Sequence, residues 1–252
     1  VKERIEINSD AINLRKYFGE DIYSPIDIFS MLNNSEDFTV VFYPMSDRIS
    51  GICIRENGNR IIGINSTLTY GRQRFTAAHE LCHLFFHNNF KSIICAKDID
   101  KNKDSQEKEA DMFASYFLAP YEAMNDFIVT KLKKQKGNLD INDVVKIEQN
   151  YGLSRQATLW RLINEGYLSI DDSESMKTGI ISSAIKLGFD DKLYLPAPQE
   201  KQYYTLGRYI KLAEELKEKE LMTSGKYEEI LLDAFRGDIV FGLNIEGEEN
   251  YD

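Results

Sequence analysis

An α+β fold is predicted by three features of the sequence: a run of β-branched and aromatic segments around an Asn-Gly turn, long stretches of helical apolar period before and after it, and a helix-turn-helix-like corner further on. The expected order is a small sheet with a histidine-bearing helix, then the corner, then a helical C-terminal extension. Ala11, Leu14 and Phe18 recur at helical spacing, as do Ile28, Met31 and Leu32. Ser24 followed by Pro25 predicts a cap and first turn for the second of these helices. FTVVFY (38–43), ISGICI (49–54) and RIIGIN (60–65) predict a sheet of at least three strands, the last two joined through Asn57-Gly58, a strong hairpin signal.

The segment 70–86 returns to helical period, with Phe75, Ala78, Cys82 and Phe85 on one stripe. Residues 98–104 read as a charged, exposed loop, and SQEKEADMFASYFLAP as a helix from Ser105 that ends near Pro120. Helices over 142–150 and 155–164 are joined by Tyr151-Gly152-Leu153-Ser154, with Ser154 as N-cap. Beyond Asp171, IISSAIKLGF suggests one short helix and YLPAPQ a connector. Residues 209–221 form a charged amphipathic helix, and Tyr227, Ile230, Leu231, Ala234 and Phe235 mark another. The acidic end EGEENYD is expected to fray. The implied division is a first domain over 1–137, the corner over 138–170 packed on it, and the extension over 171–252.

With 252 residues, 42% of them hydrophobic, the chain can bury a real core without staples. Cys53, Cys82 and Cys95 are an odd number without paired spacing, which fits a reducing, cytoplasmic setting better than a disulfide framework. The opening VKERIEINSD has no apolar stretch after its charges, and no later run is long enough to cross a bilayer, so neither secretion nor membrane insertion is signalled. The chain begins on valine, which leaves room for residues before it. A net charge of −10 disfavours a phosphate backbone as partner and suits a basic protein.

All three histidines fall within RQRFTAAHELCHLFFH (72–87). His79-Glu80-Leu81-Cys82-His83 is an HExxH on a helix. Residues four apart lie one turn up the same face, roughly 6 Å between Cα atoms, so two imidazoles can converge on one ion. Glu80, about 100° round the helix, is placed to act as general base on a water that zinc activates near neutral pH. A third protein ligand is needed. His87 is unsuited, since eight residues separate it from His79, about 12 Å along a straight helix, and it reads instead as a C-terminal helix residue near the negative end of the dipole. Glu109 is the better candidate: Phe113 and Phe117 follow it at +4 and +8, so its stripe faces inward, and a carboxylate there needs a partner. Glu107, two residues earlier, points away from that stripe and is the alternative.

Asn65 through His87, with Glu109-Ala110-Asp111-x-Phe113-Ala114 and Phe117-Leu118-Ala119-Pro120, resemble the ImmA/IrrE family of HExxH metallopeptidases. Leu14-Arg15, Pro25-Ile26-Asp27 and Ser50-Gly51 resemble that family's N-terminal part, and 153–157 with Arg161-Leu162 its downstream helical corner. The likeness covers roughly residues 10–168. It implies a zincin-like core, zinc held by His79, His83 and Glu109, Glu80 as base, and helix-turn-helix repressors as substrates, whose cleavage derepresses mobile-element or stress genes. Two positions depart from the family: Cys82 stands where glycine is usual, and alanine rather than methionine precedes Pro120. On its stripe Cys82 should point into the core, a packing role rather than zinc ligation.

The expected activity is thus that of a cytoplasmic zinc endopeptidase, its peptide paired along an exposed strand such as one arm of the 49–65 hairpin. Tyr116, Tyr151 and His87 are the candidates for stabilising the oxyanion. Two other classes stay open: a non-proteolytic zinc module that sequesters a repressor, and a DNA-binding regulator using the 142–164 corner. Against the latter, Lys146, Arg155 and Arg161 face Asp140, Asp143, Glu148 and Glu165 over 140–168, a poor electrostatic footprint for a duplex.

Overall fold

A computed structural model describes residues 2–87, 92–96 and 105–242. The loop expected over 98–104 and the acidic end over 246–252 lie outside the described residues. Two helices come first, α1 (Arg4–Tyr17) and α2 (Ile28–Asn34). The second begins later than Ser24-Pro25 suggested: Asp27 is its N-cap, accepting from the Ser30 backbone N–H. Arg15 explains the delay. Its fully buried guanidinium donates to the carbonyls of Asp21, Ser24 and Phe117, so Ser24 belongs to a turn wrapped around that side chain.

Strands β1 (Phe38–Tyr43), β2 (Ile49–Glu56) and β3 (Asn59–Asn65) follow, then α3 (Tyr70–Phe86), β4 (Ser92–Ala96) and α4 (Ser105–Leu118). Asn57 and Gly58 both take positive φ, as the two-residue turn between β2 and β3 requires. A short helix α5 (Tyr121–Asp126) runs on as a π turn. The corner is α6 (Ile141–Tyr151) and α7 (Arg155–Asn164), with Gly152 left-handed between them and Ser154 capping α7. Next come α8 (Ile170–Glu174), α9 (Ile180–Lys186), β5 (Tyr204–Gly207), α10 (Arg208–Glu218), α11 (Ser224–Asp233) and α12 (Gly237–Phe241).

The architecture is α+β around one mixed sheet of five strands in the order β4-β2-β3-β1-β5. β1 and β3 are parallel; the other pairs are antiparallel. Two strands were not expected, and each changes an expectation. β4 pairs with β2, so neither arm of the 49–65 hairpin is an edge and the peptide site expected there is taken by β4. β5 pairs with β1, so the segment after Asp171 is not wholly helical. The main core lies between the sheet and α1, α3 and α4, with Phe38, Ile62, Ile64, Leu81, Phe113 and Phe117 among its buried side chains. No helix among the described residues is long and apolar enough to cross a membrane.

Gly207 joins β5 to α10 at φ 92°, and a Cβ there would lie 2.3 Å from the Phe38 carbonyl oxygen. Gly207→Ala should therefore cost about 1–3 kcal/mol from backbone conformation alone and loosen β5 from β1. Faster amide exchange at the backbone amides that join β5 to β1 is the expected readout; unchanged exchange there would contradict it.

Candidate metal centre

The histidine helix is buried nearly all round, packed against β2 and β3 on one side and α4 on the other. Its entry is held by Gln73, whose amide donates to the Ser66 and Leu68 carbonyls, and by Arg74, which donates to the Ile26 and Gly152 carbonyls. Its exit is held by Arg55, which donates to the carbonyls of Leu84 and His87. Buried Asn65 ties the β1–β2 loop to the turn that leads into the helix, donating to the Ser46 and Ile49 carbonyls and accepting from Met45 and Thr67. His79 and His83 thus project from a helix with little freedom to shift.

Their rings meet as i, i+4 geometry demands. The two Nε2 atoms lie 3.1 Å apart. From α4, Glu107 brings one carboxylate oxygen 3.5 Å from His79 Nε2 and the other 3.2 Å from His83 Nε2. Asp111, one turn further along α4, lies 3.0 Å from His79 Nδ1. Its carboxylate can only accept while ionised, so it accepts the Nδ1 hydrogen and turns Nε2 toward Glu107. Behind His83, the His87 Nδ1 lies 2.7 Å from His83 Nδ1. Two nitrogens bound to one zinc ion at tetrahedral angles would be about 3.3 Å apart, so the spacing of the rings suits a shared cation.

Electrostatics point the same way. Burial disfavours a charge on His79, but hydrogen bonds to Asp111 and Glu107 and the charge of Glu80 outweigh it and push the ring to about 9. Glu107 is also opposed by burial, yet the hydrogen bonds from both rings hold it well below the usual carboxylate range. Three carboxylates around two imidazoles leave the cluster short of positive charge.

Glu80 is fully buried, and burial raises its pKa against the pull of His79 and His83. Its Oε1 has no hydrogen-bond partner, while Oε2 accepts from the Cys95 thiol at 3.4 Å. The carboxylate fits because Gly51 has no side chain: a Cβ there would lie 2.7 Å from Glu80 Oε1 and 2.5 Å from the Thr76 methyl.

Glu109 does not join this group. Its carboxylate lies 3.3 Å from Lys2 Nζ and 3.7 Å from His87 Nε2. The reasoning from an inward stripe fails because α4 is covered on two flanks, by α1 and by α3. A stripe facing α1 is as buried as one facing the histidines, and two residues turn the helix by about 200°. Cys82, His87 and Glu109 form a neighbouring group whose ligand atoms also come within 4.8 Å of one another. Lys2 already supplies that group with a cation, and Cys82 packs in the core.

Of the candidates for oxyanion stabilisation, Tyr116 is spent at the corner, donating to Glu165 beneath the Arg161 guanidinium. Tyr151 is buried against Phe127, and His87 stands behind His83. A cavity of about 450 Å³ lined by Thr69, Arg72, Arg155, Ile180 and Tyr194 contains none of the cluster residues. Reading the sequence missed Asp111 as an orienting group and Cys95 altogether. The Glu107-x-x-x-Asp111 spacing was a usable signal for the first, since it puts both carboxylates on one helix face.

A buried HExxH helix facing a carboxylate-bearing helix defines a metallopeptidase class. Residues 34–162, just over half of the chain, match the family described as the IrrE N-terminal-like domain, and the chain belongs to this ImmA/IrrE family of metallopeptidases. The metallopeptidase ImmA of Bacillus subtilis (strain 168) is 38% identical over 69 residues, covering 26% of this chain and 38% of that protein. The match thus spans well under half of that curated relative.

Two predictions follow from the geometry. Glu107→Ala should weaken metal binding by roughly 100-fold or more, beyond what even an orienting partner contributes, whereas Glu109→Ala should leave the metal content after desalting unchanged. The reverse pattern would return the third ligand to Glu109. Gly51→Ala should keep the metal but displace Glu80, lowering kcat by on the order of 100-fold; a variant of wild-type rate would show that Glu80 tolerates the move.

Proposed function

We propose that this chain is a zinc-dependent endopeptidase with a zincin-like core, the metal held by His79, His83 and Glu107, with Glu80 as general base. The observation that carries this reading is the convergence of two Nε2 atoms, 3.1 Å apart, on the Glu107 carboxylate beside a buried Glu80 oxygen without a partner. When bound, zinc supplies a Lewis acid that polarises the scissile carbonyl and makes water nucleophilic near neutral pH. Glu80 takes the proton of the attacking water and passes it to the leaving amine. Asp111 and His87 hold the imidazoles from behind so that their Nε2 atoms stay convergent. The substrate lies extended along the outer edge of β4, paired through backbone hydrogen bonds. That strand turns Cys95 toward the cluster and leaves Ile94 exposed, so a chain laid beside it passes the histidines.

The resemblance to the family supports one substrate class: a cytoplasmic helix-turn-helix repressor, cleaved to derepress mobile-element or stress-response genes. The net charge of −10 suits a basic protein of that kind. A DNA-binding role has less support, because the two arginines it relied on are used inside the fold. Arg155 pairs with buried Glu148 and donates to the Met176 carbonyl, and Arg161 lies over Tyr116 and donates to Ser115.

Glu80→Gln should retain zinc and lose roughly 100- to 10,000-fold in activity. Comparing protein termini in cells expressing the wild type or this variant provides the test. New termini in one repressor, made only by the wild type, are expected. A Gln variant that alters gene expression as the wild type does, with no new termini in either, would replace the peptidase by a sequestering module.

A further inference from the structure

Four side chains, not three, meet at the candidate metal centre. The Cys95 Sγ lies within 4.8 Å of the ligand atoms of His79, His83 and Glu107, each of which is within the same distance of the others. The thiol arrives there from β4, where Gly51 of β2 faces Cys95 and the pairing is irregular between Ile49 and Gly51. Ser50 donates to the Cys95 carbonyl at 3.2 Å, which pins the strand at that residue. A bulge beside a site is a common means of re-aiming a side chain. Cys95 is 1% exposed, and its thiol faces the cluster, 3.4 Å from Glu80 Oε2 and 3.9 Å from Glu107 Oε1.

We propose that Cys95 is the fourth ligand of the metal in the resting protein, so that His79, His83, Glu107 and Cys95 form a closed site. This rests on the reading that the metal sits on the first three. The sulfur suits the site because it comes from a different element than the other three ligand atoms and closes the cluster from the side of the sheet. On coordination the S–H bond breaks, the sulfur–metal bond forms and the proton is released, as metal uptake by a thiol requires. Tetrahedral sites with four protein ligands are closed, whereas catalytic ones keep a position open. The resting protein is therefore latent, with no open position. Departure of Cys95, which takes up a proton as it leaves, reopens the site. Because Cys95 lies on β4, the strand along which the substrate is proposed to pair, substrate docking and ligand release act on the same five residues.

The test is to titrate the 252-residue chain with Co²⁺ and record the thiolate-to-cobalt charge-transfer band in the near ultraviolet, for the wild type, Cys95→Ala, Cys95→Ser, Cys82→Ala and His79→Ala. The wild type should show the band. Both Cys95 variants should lose it while still binding one ion, with affinity lowered by roughly 10- to 100-fold, and Cys82→Ala should keep it. Two Cys95 variants guard against one failing to fold. Wild-type protein that binds Co²⁺ without the band, or a band that survives in both Cys95 variants, would overturn the proposal. Absence of Co²⁺ binding in the wild type, or binding undiminished in His79→Ala, would instead defeat the underlying assignment of the metal to the histidine pair.

Discussion

Everything at the centre depends on the packing of α3 against α4, which brings carboxylates to both sides of one imidazole. Asp111 holds His79 by Nδ1 and Glu107 faces it at Nε2, from positions one turn apart on the same helix. A lone carboxylate behind the ring would fix its tautomer, and a lone one in front would make an ion pair. The two together fix where Nε2 points. Burying this much charge between helices is costly without a cation, which is why the geometry reads as a site and not as a salt-bridged interface.

The surroundings are built to keep those helices from moving. Arg15 crosses from α1 to the Phe117 carbonyl near the end of α4, and Arg74 reaches from α3 to the Ile26 carbonyl and to the α6–α7 corner. Each guanidinium satisfies several backbone carbonyls at once, something an apolar side chain of similar bulk cannot do. The same logic holds in the corner. Fully buried Glu148 accepts from Arg155 and from the Tyr194 hydroxyl, joining α6 and α7 to the later turn at 192–194. Polar groups inside this protein mark junctions between elements.

The sheet has its own division of labour. β5 closes one edge against β1, through a glycine whose conformation and lack of Cβ allow the chain to turn against the Phe38 carbonyl. β4 forms the other edge, beside the histidines. The segment after Asp171 thus completes the sheet on the side away from the metal centre, and α10 packs next to β1 with Arg208 and Lys211 donating to the Glu36 and Asn33 carbonyls.

What the sequence determined by itself was local. The HExxH spacing sets two imidazoles on one helix face because helix geometry does not depend on context, and Asn57-Gly58 sets a hairpin because two positive φ values favour such residues. Ser154 capped its helix for a similarly local reason. Tertiary structure decided the rest. Glu107 and Glu109 differ by 200° about the same axis, and which of them faces the histidines depends on where α1 and α3 pack, information that apolar period alone does not carry when a helix is covered on two sides. Cys95 reaches the cluster only through the pairing of β4 with β2, and β5 becomes a strand only because β1 presents an edge to it. Contacts between residues far apart in the chain carry no local periodicity, so they became visible only once the chain had folded.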